Sequence, residues 1–272
     1  MPEEEAGGGS WSPQGVPYRD LPHIVSADGL HLFCRYWEPE APPRALVFIA
    51  HGAGEHCGMY TDVAHTLVQK GLYVFAHDHG EKYSEKKRVD QEKHRGGAIS
   101  ILAACERPQD FVGVVLIGPL IQMNPESATP FKVFLAKVLS HMIPSLTLGA
   151  IDPKSVSRDP KQVEAYEADE LNYHGGMRVS FGMQLMTAAN RIERELPNIT
   201  WPFYILHGDA DKLCDIGGSH LMFNQAKSTD KKLKVYEGAY HALHHDLPET
   251  AESVLQEVSS WIVERLPAPS GP

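Results

Sequence analysis

The chain has 272 residues, 42% hydrophobic and 22% charged, enough to bury one sizeable core. Its formal net charge of −10 offers no basic footprint for phosphates and excludes nucleic acid as a partner. No apolar run reaches the roughly 18 residues that a membrane-spanning helix needs. Cys34, Cys57, Cys105 and Cys214 are scattered with no CxxC pair, a pattern of free thiols in a reducing cytosol rather than of disulfides or a zinc site.

Residues 1–16 are acidic and rich in Gly and Ser, without the basic and apolar regions of a signal peptide, and read as a disordered leader. Over 23–37, HIVS and LHLFCRYW flank Ala27-Asp28-Gly29, a turn signal between β-rich runs, and predict a hairpin. The apolar run at 45–50 predicts a strand buried on both faces, leading into HGAGEH at 51–56. Tyr60, Val63, Ala64, Leu67 and Val68 form one helical stripe closed by Gly71. Residues 72–76 are strand-like and deliver His77-Asp78-His79-Gly80. Strand, helix, strand is a βαβ unit, so the sheet is expected to be largely parallel.

Residues 80–95, GEKYSEKKRVDQEKHR, are mostly charged, with Val89 the only aliphatic side chain, and read as a solvated segment. Glu81, Glu85, Asp90 and Glu92 interrupt the lysines and exclude a polybasic patch. Gly96-Gly97 then opens a helix and 111–117 is a strand, so a helix arrives with no strand before it. Residues 119–197 interrupt the alternation: an amphipathic helix over 131–142, Leu146 to Gly149, a polar stretch to Asn172 and a helix over 177–196. An insertion after a strand end, carrying extra apolar surface, predicts a lid over a pocket.

The run 203–206 is a short strand followed by Asp209-Ala210-Asp211, and 233–236 is another, followed by Gly238 and Tyr240-His241. A carboxylate beyond one strand and a histidine beyond the next suit the orienter and base of a nucleophilic triad. The chain ends with a helix over 251–265 and a polar tail at 267–272.

The order of elements resembles the α/β-hydrolase fold. The stretches DLPHIVSADG, LFCRYW, HGAGEH, FAHDH, NPESAT-FKV, VSFG-QL, ADKLCD and YEGAYHALH, spread over 17–265, closely resemble the monoacylglycerol lipase family of serine hydrolases. The resemblance implies an α/β domain at 17–266, its mostly parallel central sheet flanked by helices, with a cap insertion at about 119–197. It implies hydrolysis of monoacylglycerol, or another acyl lipid, to glycerol and fatty acid, without cofactor or metal. A cytoplasmic protein is implied that meets membranes peripherally through the apolar rim of its cap. Residue by residue, it makes Asp211 the triad acid, His241 the base and the backbone N–H of Ala53 an oxyanion donor. Glu55 and Tyr166 match polar positions around the glycerol end of the pocket, and Cys214 matches a thiol near the site. Asp209 competes with Asp211 for the acid, and ADKLCD favours Asp211. His244 and His245 compete with His241; HALHH admits a metal reading but lacks a third ligand or HExxH.

One departure is large. Between His79 and Gly97 the family carries a second H-G sequence, a helix, a strand and the elbow G-H-S-M-G running into G-G-A-I. Here Gly96-Gly97-Ala98-Ile99 is preceded by Glu92-Lys93-His94-Arg95, and no G-x-S-x-G occurs in the chain. Roughly thirty residues are absent relative to the family, including the serine, a second oxyanion N–H and a central strand. His94 and Arg95 stand where the serine and its follower belong. Gly217-Gly218-Ser219 is the nearest approach, with Ser219 expected to cap a helix. Three readings follow: an active ester hydrolase, a non-catalytic relative that binds lipid or a partner, or a truncated splice form or gene-model product. Loss of the strand predicts either that 45–50 and 111–117 close up and pair or that a gap stays open between them.

Overall fold

The computed structural model describes residues 11–12, 14–27, 29–79, 96–122, 143, 146–147 and 149–267. The charged run 80–95, with His94 and Arg95, and the helix expected over 131–142 lie outside the described residues.

Strands β1 (His23–Val25) and β2 (His31–Trp37) form the expected antiparallel hairpin, with Ile24 opposite Leu32. Its turn places Gly29 at φ +77°, the left-handed conformation that glycine adopts at no steric cost. β3 (Ala45–Ile49) and β4 (Leu72–His77) run parallel, Val47 opposite Val74, and α1 (Thr61–Val68) makes the crossover between them. β4 also pairs antiparallel with β2, which gives a four-stranded sheet in the order β1-β2-β4-β3. β5 (Val114–Ile117), β6 (Phe203–Gly208) and β7 (Lys231–Tyr236) form a second, wholly parallel sheet in that order.

Among the described residues five further helices flank these sheets: α2 (Gly96–Glu106), α3 (Pro160–Ala168), α4 (Val179–Glu195), α5 (Ile216–Gln225) and α6 (Pro248–Val263). α3 falls inside the stretch read from sequence as merely polar. Asp159 caps it by accepting from the Lys161 N–H, and Pro160 sits in its first turn, where its lack of an N–H costs nothing.

Among the described residues no strand lies between β3 and β5, and the two sheets share no ladder. One core nevertheless spans them. Ala45, Val47 and Ile49 of β3 and Val115 and Ile117 of β5 pack into the same apolar cluster as α1 and α6. The Gly96 end of α2 enters the space between the strand ends, where Gly96 N–H donates to the His51 carbonyl at 3.0 Å. A Cβ at Gly96 would come 2.0 Å from the Ala50 oxygen, and one at Gly97 3.1 Å from Pro119 Cβ, so this approach depends on both glycines. Among the described residues β3 and β5 have therefore not closed up into a ladder.

β3 corrects one expectation. It is buried on one face only: Leu46 is 69% and Phe48 38% exposed. The alternation follows from the pleat, since Ala45, Val47 and Ile49 face the core while Leu46 and Phe48 stand on a face that nothing described covers. Phe48 leans on the neighbouring strand, with Phe75 at 5.2 Å and His77 at 5.1 Å between ring centroids. The strand expected from 111 begins later, at Val114, because Pro108–Asp110 forms a 3-10 turn first.

Candidate active site

The acid and the histidine meet at the C-terminal ends of β6 and β7, where parallel sheets present their loops. His241 Nδ1 lies 2.8 Å from Asp211 Oδ2. The Asp211 side chain is 1% exposed and that of His241 22%, so the carboxylate is enclosed and the imidazole faces the cavity. Asp211 Oδ1 accepts from the Leu213 and Cys214 N–H groups at 2.7 and 3.0 Å. Burial alone would raise the Asp211 pKa, but hydrogen bonds from His207, His241 and the Cys214 backbone hold it well below the usual carboxylate range. Burial likewise opposes charge on His241, yet the Cys214 thiol and the Asp211 carboxylate outweigh it and raise its pKa to about 10. Asp209, the competing acid, is spent on its own turn and accepts from the Gly238 N–H at 2.6 Å. His244 and His245 are half-buried and do not pair with Asp211; burial pushes the pKa of each down.

HGAGEH forms the opposite wall. His51 is fixed at both nitrogens: Nδ1 lies 2.8 Å from the Gly52 carbonyl and Nε2 accepts from the His79 N–H at 2.9 Å. Gly54, at φ +78°, turns the chain back. Ala53 lines the cavity, and among the described residues its N–H makes no backbone hydrogen bond, which leaves it available to an oxyanion. Glu55 Oε2 accepts from the Gly52 N–H at 2.8 Å and from the Tyr60 hydroxyl at 2.7 Å. Tyr166, carried in by α3, reaches the same cavity, and burial together with the Glu55 charge pushes its pKa up to about 12.

The cavity brings together Ala53, Glu55, Tyr166 and His241, with Gly96, Gly97 and Gly118 on its floor. Among the described residues lining it there is no serine, threonine or cysteine. Cys214 is 1% exposed and packs with Leu120 and Leu185 beside it. One atom each of Asp211, Cys214 and His241 lie within 4.8 Å of one another, three potential metal ligands that the spacing of HALHH did not reveal. The Asp211 oxygens are already committed to hydrogen-bond donors, which leaves a metal little to displace them with.

Several residues of the site gave no signal in the sequence. His56 Nε2 meets Asp169 Oδ2 at 2.9 Å and ties the HGAGEH turn to the insertion. Arg158 forms a two-pronged pair with the fully buried Asp246, Nε to Oδ1 at 2.9 Å and to Oδ2 at 3.1 Å, which ties the insertion to the His241 loop. Ser219 does not cap α5 as expected. Asp215 does so, accepting from the Gly217 N–H at 2.8 Å, and Ser219 is buried against His207 instead.

A mostly parallel sheet flanked by helices, with an acid and a histidine at successive strand ends facing a glycine-rich turn, defines an α/β-hydrolase. The family profile described as serine aminopeptidase S33 matches residues 41–93 and 95–248. The chain is 47% identical to the mouse monoglyceride lipase, with 94% of this chain and 95% of that protein covered. It is also 47% identical to the human monoglyceride lipase, over 97% of both. A solved monoacylglycerol lipase from Paleococcus ferrophilus superposes with a TM-score of 0.75 at 29% identity, covering 87% of this chain and all of that one. The chain belongs to the monoglyceride lipase family. The alignment to the mouse protein spans 287 positions, more than the 272 residues present, so it opens gaps in this chain.

Proposed function

We propose that the chain holds a monoacylglycerol, or another single-chain acyl ester, in the cavity between HGAGEH and His241, and turns it over only at a background rate. The observation that carries this reading is the pairing of Asp211 with His241 at 2.8 Å in a cavity whose described lining offers no hydroxyl or thiol nucleophile beyond tyrosine. The Ala53 N–H is available to polarise an ester carbonyl, and Glu55 and Tyr166 supply polar contacts for glycerol hydroxyls. Asp211 orients His241, but among the described residues no serine stands before the imidazole, and the Cys214 thiol beside it is 1% exposed and does not line the cavity. The raised pKa of His241 keeps it protonated at neutral pH, as the cation of an ion pair rather than a base. Loss of a triad serine removes on the order of a millionfold in rate, leaving the modest help of positioning.

Membrane contact through the insertion finds support in Ile143 and Leu171, which are 47% and 41% exposed. No helix among the described residues is long and apolar enough to cross a membrane. None of the four cysteines is joined in a disulfide, which suits a reducing cytoplasm. The reading is tested by incubating the purified chain with a fluorophosphonate and, separately, with a non-hydrolysable ether analogue of monoacylglycerol. The expected result is saturable binding of the ether and no covalent adduct. A stoichiometric adduct located by mass spectrometry would overturn inactivity, and absence of saturable binding would overturn the lipid reading.

A further inference from the structure

We propose that His207 is a positioning residue for the acid–base pair, the middle of a buried hydrogen-bonded chain running Ser219, His207, Asp211, His241. This rests on the reading of Asp211 and His241 as that pair. β6 is buried along its whole length, and His207 and Ser219 are both fully enclosed. An imidazole in such a place is costly unless its nitrogens are matched, and here both are. Nε2 lies 3.2 Å from Asp211 Oδ2 and 3.2 Å from the Cys214 carbonyl. A carboxylate and a carbonyl can only accept, so Nε2 carries hydrogen, and its one N–H is shared between them, better aimed at the carbonyl than at Oδ2. Nδ1 lies 2.6 Å from Ser219 Oγ and, in the neutral ring, accepts the hydroxyl proton.

The arrangement fixes Asp211 from a direction that neither His241 nor the backbone supplies. Leu213 and Cys214 hold Oδ1, while His207 and His241 share Oδ2. Without His207, the oxygen that orients His241 keeps a single side-chain donor, and the carboxylate can swing about its Cβ–Cγ bond. Ser219 extends the restraint, because it stands on α5 and clamps the ring that clamps the acid. If His207 merely filled space, leucine would serve as well; if it positions Asp211, only a side chain with an N–H within reach of Oδ2 will do.

The test is NMR of the full chain, following exchange of the His241 Nδ1–H proton relative to backbone amides of β6 as an internal control for folding. Cys214 and His244, the other titratable groups facing His241, are left in place. His207→Leu is expected to speed ring-proton exchange roughly tenfold with β6 amides unchanged, the scale of one hydrogen bond's net worth. His207→Gln, whose amide can donate to Oδ2, should stay within about twofold. Ser219→Ala, which keeps the ring, should give roughly threefold and serves if His207→Leu fails to fold. Unchanged exchange in folded His207→Leu, or in Ser219→Ala where that variant stands in, would overturn the proposal. Asp211→Asn separates the two readings. If it leaves the ring proton unaffected, the acid–base pair itself fails; if only Asp211→Asn has an effect, the pair stands and His207 is packing alone.

Discussion

Gly96 donates its N–H to the His51 carbonyl at 3.0 Å while its α-carbon faces the Ala50 oxygen so closely that a Cβ would sit 2.0 Å from it. This contact seats the beginning of α2 where β3 and β5 have no common neighbour, and it brings Gly97 against Pro119 on the other side. Two adjacent glycines thus join the two sheets at the floor of the cavity.

Gly96→Ala should therefore destabilise the fold by about 2 kcal/mol or more, because the clash is with backbone and cannot be relieved by a rotamer change. Gly182→Ala is the matched control. It lies inside α4 with only Met177 Sδ at 3.9 Å from the added carbon. There the substitution should be neutral or stabilising by up to about 1 kcal/mol, from helix propensity. Urea melts of the two variants check both signs.

The Asp211–His241 ion pair should give stability a pH signature. His241 has its pKa raised from 6.5 to about 10, so its contribution is fully present below pH 6.5 and is lost as pH rises through 10. Asp211 is depressed from 3.8, so its contribution is present above that value and is lost as pH falls further. The stability difference between the natural chain and Asp211→Asn should accordingly be largest between about pH 4 and 6.5, at about 3 kcal/mol, and shrink toward pH 10. A difference that grows between pH 7 and 10 would contradict the ion pair.

Much of this site was legible because its chemistry follows strand ends. Short apolar runs closed by Gly208 and Gly238 marked β6 and β7, and the polar turns beyond them held the candidates for acid and base, Asp211 and His241. His207 was not legible: it continues the apolar run of β6, and its partner Ser219 lies twelve residues on, across a helix whose rotation the sequence does not state. The exposed face of β3 was misread for a related reason. A continuous apolar run is what a strand covered on both sides looks like, and nothing in the run itself reports that no described residue covers its second face. The pairing of Arg158 with Asp246, 88 residues apart, leaves no mark in either local pattern.

Arg158→Met should cost about 3 kcal/mol, because Asp246 is wholly buried and would keep its charge without its cation. The backbone N–H groups of Tyr240 and Leu247, at 3.2 and 2.7 Å, would remain its donors but carry no full charge. By contrast Arg191→Met breaks a pair whose side chains are 52% and 59% exposed, and should cost less than about 1 kcal/mol. Denaturant midpoints of the two variants, measured side by side, decide whether burial sets the difference.

Restoring the family's elbow segment between His79 and Gly96 should stabilise the chain through its sheet. Among the described residues β3 has a ladder partner only in β4, and β5 only in β6, so each has one edge without a described partner. The exposure of Leu46 and Phe48 lets water reach β3, so its free backbone groups do not bear the full cost of burial without partners; the loss is of ladder bonds worth roughly 1 kcal/mol each. A restored central strand would supply several such bonds on both sides, and the helix preceding it would bury Leu46 and Phe48 at about 25 cal/mol per Å². Together these should raise the melting temperature by several degrees in a domain of this size. In amide exchange, protection should increase along β3 and β5 and stay level along β6, which already has two neighbours and no exposed face. Equal melting temperatures with equal protection of β3 and β5 would mean that lacking the segment costs the fold nothing.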